Sequence, residues 1–140
     1  SPNALLAYAA NLTIQKITES ATKLRAPLTP YGIRNFVELG GTKFVHGSMF
    51  NVSAIRDHAE TYGNVVMAHL HRVGWERARN IDGASGYCVG MLANFDMSYA
   101  ATRRATLAWS QGFAWGYYCD TSLTVNLCER KKGQPWLLPI

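Results

Sequence analysis

Apolar side chains recur at helical spacing along the first two dozen residues of the chain. Ser1 can act as the N-terminal cap, and Pro2 suits the first helical position because that position needs no backbone N–H donor. Pro27 and Pro30 follow and exclude a longer helix. The pattern predicts a helix over residues 2–24, with one apolar face formed by Leu5, Ala9, Leu12, Ile14, Ile17 and Ala21.

From residue 36 onward, short apolar runs alternate with turn residues. Two β-prone runs flank Gly40-Gly41 and predict a hairpin, and Asp82-Gly83 separates another such pair. A second helix is predicted over 52–62, with Asn51 or Ser53 near its cap and Gly63 at its end. The strands are predicted at 36–39, 42–45, 64–67, 75–80, 85–92, 113–119 and 123–128. The order of elements indicates a mixed α/β fold.

Length and composition place the chain among globular proteins of one domain. Hydrophobic residues make up 48% and charged residues 16% of 140 residues, which excludes a disordered chain. We expect a single domain over 1–140: a helix and connection at 1–30, the main strands at 36–128 and an irregular tail at 129–140. Since the first residue is serine rather than methionine, a processed or trimmed product is expected.

No apolar run approaches a membrane span and no signal-peptide pattern opens the chain, so we expect a cytoplasmic protein without membrane contact. Cys88, Cys119 and Cys128 show no Cys-x-x-Cys spacing, which favours reduced thiols buried in the core. The net charge of +5 suits a phosphate-bearing ligand. An ordinary solvated basic surface would give the same charge.

Three of the four histidines follow predicted strands: His46, His69 and His71. If the His69-Leu-His71 segment is extended, both rings point the same way, because side chains alternate along a strand. Neutral imidazoles could then hold a divalent ion such as Mn, Zn, Fe or Ni. Taken alone, the pattern is weak, since most histidines are surface or hydrogen-bonded core residues.

The order of these motifs adds specificity. Val45-His46-Gly47 precedes a helix, and the next strand ends in Ala68-His-Leu-His-Arg72. This order resembles the calcineurin-like metallophosphoesterases, especially phage and bacterial members, in which strands end in His-Gly and Gly-His-x-His. The later segments Gly86–Leu92 and Trp109–Ala114, with Tyr99 between them, are also similar to that family. The resemblance covers roughly residues 36–118 and implies the C-terminal half of a metallophosphoesterase β-sandwich flanked by helices.

The resemblance also implies roles for individual residues. His46 and His69 would ligate one metal of a binuclear centre, and His71 would ligate the other. The two ions would clamp a phosphoryl group and activate a water molecule for hydrolysis of the ester bond. Arg72 would bind the substrate phosphate, although a solvated surface arginine is the more common outcome. His58 has no counterpart in the motif, so we expect a structural or surface role for it.

The rest of that family's active site is missing from the chain. Its N-terminal half carries Asp-x-His, Gly-Asp-x-x-Asp and Gly-Asn-His motifs, whereas no Asp or His precedes His46 here. Three histidines without carboxylates cannot hold two divalent cations. We therefore expect a hydrolase half that acts on a phosphate ester, nucleic acid among the candidates, only when a separate N-terminal half completes it. No catalytic residue is assigned in this half.

Two alternatives remain open from the sequence. The first is a non-catalytic module that binds a metal or nucleic acid and derives from the same fold. The second is a stand-alone hydrolase with one zinc held by three histidines, as in some catalytic zinc sites. No general base is evident for the second, since Asp57 and Glu60 lie on the predicted helix.

Overall fold

The computed structural model describes residues 2–138, so the predicted cap Ser1 and the end of the tail from Pro139 lie outside the described residues. The chain divides into two compact units, residues 1–30 and 31–140. In the first unit, helix α1 spans Pro2–Lys23, which confirms the predicted first helix.

Helix α1 ends through backbone geometry before either proline is reached. Arg25 adopts a left-handed conformation with φ 54°. The Ala26 N–H donates to the Ala21 carbonyl at 2.8 Å, and the Arg25 N–H donates to Thr22 at 3.1 Å. This pair of bonds is the Schellman motif, which satisfies carbonyls in the last turn. The large apolar side chains of the predicted face are exposed in α1, among them Leu5, Leu12, Ile14 and Ile17.

A five-stranded mixed sheet forms the centre of the second unit. Its strands are β1 (Val37–Leu39), β2 (Thr42–Val45), β3 (Val65–Met67), β4 (Val73–Arg77) and β5 (Ser85–Val89). The strand order is β1-β2-β3-β5-β4. The three central strands β2, β3 and β5 run parallel, and the edge strands β1 and β4 pair antiparallel to their neighbours. The mixed α/β class is therefore confirmed.

Helix α2 (Ala54–Tyr62) covers one face of this sheet and supplies most of the core. Its buried residues Ala54, Ile55, His58, Ala59 and Tyr62 follow helical spacing. Two clusters result: Ala59 and Tyr62 pack with Val65, Ala78 and Ala84, while Ile55 packs with Met67 and Cys88. Glycine lets the sheet approach the helix closely. A Cβ at Gly86 would lie 2.6 Å from the Ile55 carbonyl oxygen, which is too close for any other residue without a shift.

The other face of the sheet meets a second, two-stranded sheet. Strands β6 (Gln111–Trp115) and β7 (Asn126–Arg130) pair antiparallel. Since Gly74 and Gly86 face the helix, alternation places Trp75 and Tyr87 on the opposite face. There they line a shared cavity with Trp115 of β6. Two short 3-10 helices, η1 (Ser98–Ala100) and η2 (Arg104–Ala108), lie between β5 and β6.

The local predictions hold better for turns than for strand ends. The Gly40-Gly41 hairpin is confirmed, with φ values of 56° and 70° that glycine adopts without strain. Strand pairing shifts several predicted ends: β4 covers 73–77 instead of 75–80, and β6 and β7 cover 111–115 and 126–130. Strand ends are set by the partner strand, which local sequence does not reveal.

Two smaller predictions need correction. Helix α2 begins at Ala54 rather than near Val52, and Ser53 occupies the cap position without a side-chain hydrogen bond. The expectation of buried cysteines is confirmed for Cys88 and Cys128 and wrong for Cys119, which is exposed in the β6–β7 connection. Within residues 2–138, neither helix has the length and apolar character needed to cross a membrane.

Candidate functional site

Two of the predicted ligand histidines meet at the carboxyl ends of parallel strands. β2 and β3 are paired in register up to Val45 and Met67, and the Ala68 N–H donates to the His46 carbonyl at 3.1 Å just beyond. His46 and His69 therefore leave the sheet at the same edge. Their rings lie edge to face with centroids 5.1 Å apart. Parallel pairing of two short strands is what brings these side chains together.

The segment that carries His69 and His71 is a tight turn, so the extended geometry considered from the sequence is wrong. Both histidines have positive φ, 63° and 55°. The Leu70 N–H donates to the Ala68 carbonyl at 2.7 Å, the hydrogen bond of a three-residue turn centred on His69. A side chain larger than glycine is strained in this region by about 1–3 kcal/mol per residue, and such strain is common at functional sites.

Distant elements hold the strained turn in place. Leu70 packs against the cluster of Ile55, Met67 and Cys88, so the turn is anchored at its middle residue. The buried Cys88 thiol donates to the Ala68 carbonyl at 3.1 Å. On the far side, the Ser110 N–H donates to the His71 carbonyl at 2.8 Å.

Ser110 also binds the start of β4. Its buried hydroxyl accepts the Val73 N–H at 2.8 Å, and its carbonyl accepts the Met91 N–H at 3.2 Å. One serine thus fixes the segment after His71 to the end of β5. The backbone of the site is preorganised by these bonds.

The ring of His69 is partly buried and incompletely bonded. Its Nε2 atom is buried and has no hydrogen-bond partner among the described residues. Burial lowers the pKa of His69 below 6.5, and the nearby His46, His58 and His71 lower it further. Each of these effects favours the neutral ring. A neutral imidazole with an unpaired nitrogen is the form that binds a metal ion.

The His46 ring is oriented by its own loop. Its Nδ1 lies 2.9 Å from the Gly47 carbonyl, and because a carbonyl only accepts, Nδ1 carries the proton. In the neutral form of this tautomer, Nε2 has the lone pair that a metal ligand needs. The Tyr31 ring packs edge-on against His46 at 5.5 Å, and its hydroxyl donates to the same Gly47 carbonyl at 3.1 Å.

His58 lies fully buried beneath this loop, which agrees with the structural role considered for it and excludes a surface role. Its Nδ1 lies 2.6 Å from the Ala54 carbonyl, and its Nε2 accepts the Ser48 N–H at 3.1 Å. Only the neutral ring protonated on Nδ1 makes both bonds. His58 thereby ties helix α2 to the residues that follow His46.

His69 and His71 both line a cleft of about 800 Å³, which we call the arginine cleft. Arg72, the predicted phosphate ligand, lines it together with Arg103 from the loop before η2. The aromatic side chains of the cleft are Phe50, Tyr99 and Trp109. Trp109 packs edge-on against His71 at 4.9 Å, and Phe50 lies 6.1 Å from the His69 ring.

The three predicted ligands do not form a complete metal site by themselves. Among residues 2–138, no three His, Cys, Asp or Glu side chains are arranged to hold an ion together. His46 and His69 nevertheless fit part of a metal site, since one offers a free lone pair and the other an unbonded buried nitrogen. The ring of His71 contacts Trp109 instead, and His71 lines the arginine cleft.

Sequence reasoning missed two residues of this region. Arg103 lies about thirty positions after Arg72 and carries no recognisable motif, so only the fold brings it to the cleft. Ser110 lies within the segment Trp109–Ala114, but its bond to Val73 spans 37 positions. No local signal could have identified either role.

The chain matches no protein-family model, no curated protein and no solved structure. The likeness to the calcineurin-like phosphoesterases therefore stays a prediction from the short histidine motifs.

Proposed function

We propose that this chain is the C-terminal, histidine-bearing half of a binuclear metallophosphoesterase that hydrolyses phosphate esters. The observation that carries the proposal is the buried, unbonded Nε2 of His69 beside His46 at the shared edge of β2 and β3. A buried nitrogen without a partner is rare in native proteins and requires a physical reason. A metal ligand role supplies that reason.

In the proposed site, His46 and His69 hold one divalent ion, Mn, Zn, Fe or Ni, and His71 holds a second. Bound together, such ions polarise a phosphoryl group and lower the pKa of a bound water. The strained turn separates His69 from His71, so they have different neighbours: His46 for one and Trp109 for the other. This separation supports two ions rather than one ion shared by both rings.

Arg72 and Arg103 supply the positive charge that a phosphate ester requires. Both line the arginine cleft beside His69 and His71. Guanidinium groups bind phosphate through two parallel hydrogen bonds, which also orients the group. The arginines therefore act on the substrate, and the histidines hold the metals.

The carboxylate ligands and the acid that protonates the leaving group would come from an N-terminal half, as a separate chain. In this proposal the sheets described above are half of the enzyme's β-sandwich. Edge strand β1 supports a missing partner, because all three of its residues are exposed, including the apolar Val37 and Leu39. Exposed apolar edge strands pair readily with another chain.

Metal titration of the isolated chain tests the ligand assignment. Co²⁺ binding followed by visible absorbance should weaken by more than about tenfold in His46→Gln and in His69→Gln. His71→Gln should leave that first ion bound, which makes it the matched control. Equal binding by wild type and His69→Gln would contradict the proposal.

Hydrolysis of bis-p-nitrophenyl phosphate with Mn²⁺ tests the activity. Activity should require a second chain that carries the Asp-x-His, Gly-Asp-x-x-Asp and Gly-Asn-His motifs. Metal-dependent turnover by this chain alone would refute the half-site proposal. Retention of turnover by a complemented His69→Gln variant would refute it as well.

A further inference from the structure

The arginine cleft has more recognition surface than a phosphate group alone can use. Its volume of about 800 Å³ lies in the range of sites for drug-sized ligands. Most of the lining is apolar or aromatic, and the charged groups are two guanidiniums. The substrate should therefore carry a large planar or apolar group next to its phosphate.

The charge of the cleft has a single sign. Among the described residues, no carboxylate lines it, and neither Arg72 nor Arg103 takes part in an ion pair. Two unpaired guanidiniums in one cleft favour a ligand with more than one negative charge along its length. A polymer of phosphates meets that condition.

Two aromatic rings of the cleft are exposed to a ligand, and a third, Trp109, is half-buried against His71. Phe50 is 82% exposed and Tyr99 is 64% exposed. Nucleic-acid bases stack on such rings, and every base has a face that can do so. The combination of exposed rings and guanidiniums is the arrangement by which proteins hold single strands.

Local hydrogen bonds order the segment that presents Tyr99, Arg103 and Trp109. Ala100 is fully buried, and its carbonyl accepts the Arg103 N–H at 2.9 Å. The Trp109 N–H donates to the Thr106 carbonyl at 3.1 Å. Ordering this segment on binding therefore requires little conformational entropy.

We infer that the arginine cleft binds single-stranded nucleic acid, with phosphates on Arg72 and Arg103 and bases stacked on Tyr99 and Trp109. The inference rests on the proposed function, because it takes this cleft as the place where the ester lies. It adds the substrate class and assigns substrate-binding roles to Tyr99, Arg103 and Trp109. A peptide phosphorylated on serine or threonine does not place a planar ring beside each phosphate, whereas a nucleic-acid strand does.

Fluorescence anisotropy of a labelled ten-nucleotide single strand, DNA and RNA in separate arms, tests the inference on the whole chain with EDTA present. Tyr99→Ala should weaken binding by roughly 5- to 150-fold, which corresponds to the loss of one stacked base. Tyr117→Ala is its matched control, because Tyr117 is 75% exposed and lies outside the cleft.

Salt dependence separates the role of charge from that of stacking. Loss of one phosphate contact reduces the slope of log affinity against log salt by about 0.7 for single strands. Arg103→Ala should show this reduction, and Tyr99→Ala should keep the wild-type slope. Arg104→Ala removes the same charge from the neighbouring position, which does not line the cleft, and should change the slope less.

Three results would overturn the inference. The first is equal weakening by Arg103→Ala and Arg104→Ala, which would indicate general attraction to a basic surface. The second is a duplex of the same sequence that binds as tightly as the single strand. The third is a phosphopeptide that binds more tightly than the oligonucleotide.

Failure of nucleic-acid binding can be distinguished from failure of the proposed phosphoesterase activity. Hydrolysis of bis-p-nitrophenyl phosphate by the complemented enzyme, without oligonucleotide binding, would overturn this inference and leave the phosphoesterase proposal standing. The oligonucleotide could instead bind with the expected variant pattern while no complementing chain restores hydrolysis. That result would support nucleic-acid binding by the cleft and refute the phosphoesterase proposal.

Discussion

Replacing the buried His58 with leucine should lower the stability of the fold beneath the histidine site without removing a proposed metal ligand. Leucine has a similar volume and makes no hydrogen bonds, so the exchange removes the bonds to Ala54 and Ser48 while keeping the space filled. The bond to Ala54 contributes about 0.5–1.5 kcal/mol, and leaving the Ser48 N–H without its acceptor costs about 1–3 kcal/mol when water cannot reach it. Ser48 itself is exposed, so water recovers part of the second amount. We expect the free energy of unfolding to fall by about 1–3 kcal/mol.

Glutamine at the same position provides the matched comparison. Its side-chain amide reaches the place of the His58 Nε2, so it can accept the Ser48 N–H, whereas the bond to Ala54 is lost. His58→Gln should therefore be destabilised by about half as much as His58→Leu. His46→Gln changes an exposed histidine and should alter stability by less than about 0.5 kcal/mol, although it weakens Co²⁺ binding by more than about tenfold.

Urea denaturation followed by circular dichroism gives the stabilities, and amide hydrogen exchange at Ser48 reports the bond itself. Exchange at Ser48 should accelerate in His58→Leu and stay slow in His58→Gln. If both variants matched the wild type within about 0.5 kcal/mol, the reasoning about His58 would be refuted. Unchanged Ser48 exchange in His58→Leu would refute it independently.

Three further predictions follow from individual groups. The pKa of His69 is lowered below 6.5, so His69 takes up a proton in the unfolded chain at a higher pH than in the folded chain. The free energy of unfolding should therefore decrease below about pH 6.5, and His69→Gln should reduce that decrease in urea titrations. An equal dependence of the unfolding free energy on pH in His69→Gln and wild type would contradict the prediction. A hydrogen bond from the Ser122 side chain lowers the pKa of the exposed Cys119 to about 7, so alkylation by iodoacetamide should reach half its maximal rate near pH 7. Ser122→Ala should move that midpoint upward, whereas buried Cys88, whose pKa is raised by desolvation, should not react in the folded chain. Gly112→Ala should destabilise by about 3 kcal/mol in thermal melts, because its Cβ would lie 2.7 Å and 2.8 Å from two backbone oxygens; a melt equal to the wild type's would show that the backbone shifts freely there.

Local chemistry made the turns and helices predictable. Gly40-Gly41 and Gly63 adopt positive φ, which few other residues tolerate. The hairpin turn and the end of the helix are therefore predictable from a few neighbouring residues. The meeting of His46 and His69 was also predictable in outline, since parallel strands bring their carboxyl ends to one edge. These features depend on short-range rules or on one general rule of sheets.

The remaining features depend on contacts between distant parts of the chain. The limits of β4 follow from its register with β5, and the burial of His58 follows from the loop that closes over it. Arg103 reaches the cleft only because the segment before β6 folds back toward the turn at His71. Tertiary contacts of this kind override local pattern.

The turn at 69–71 shows why a His-x-His pattern is ambiguous without its surroundings. In an extended strand both rings would face one side and could share an ion. Here the half-buried Leu70 packs against the core cluster, while Cys88 and Ser110 hold the backbone on either side, and both flanking histidines take left-handed conformations. The strain of about 1–3 kcal/mol per residue persists because these three attachments fix the turn together. Loss of any one attachment should therefore release the left-handed conformations of His69 and His71, and with them the different ring neighbours on which the binuclear proposal depends.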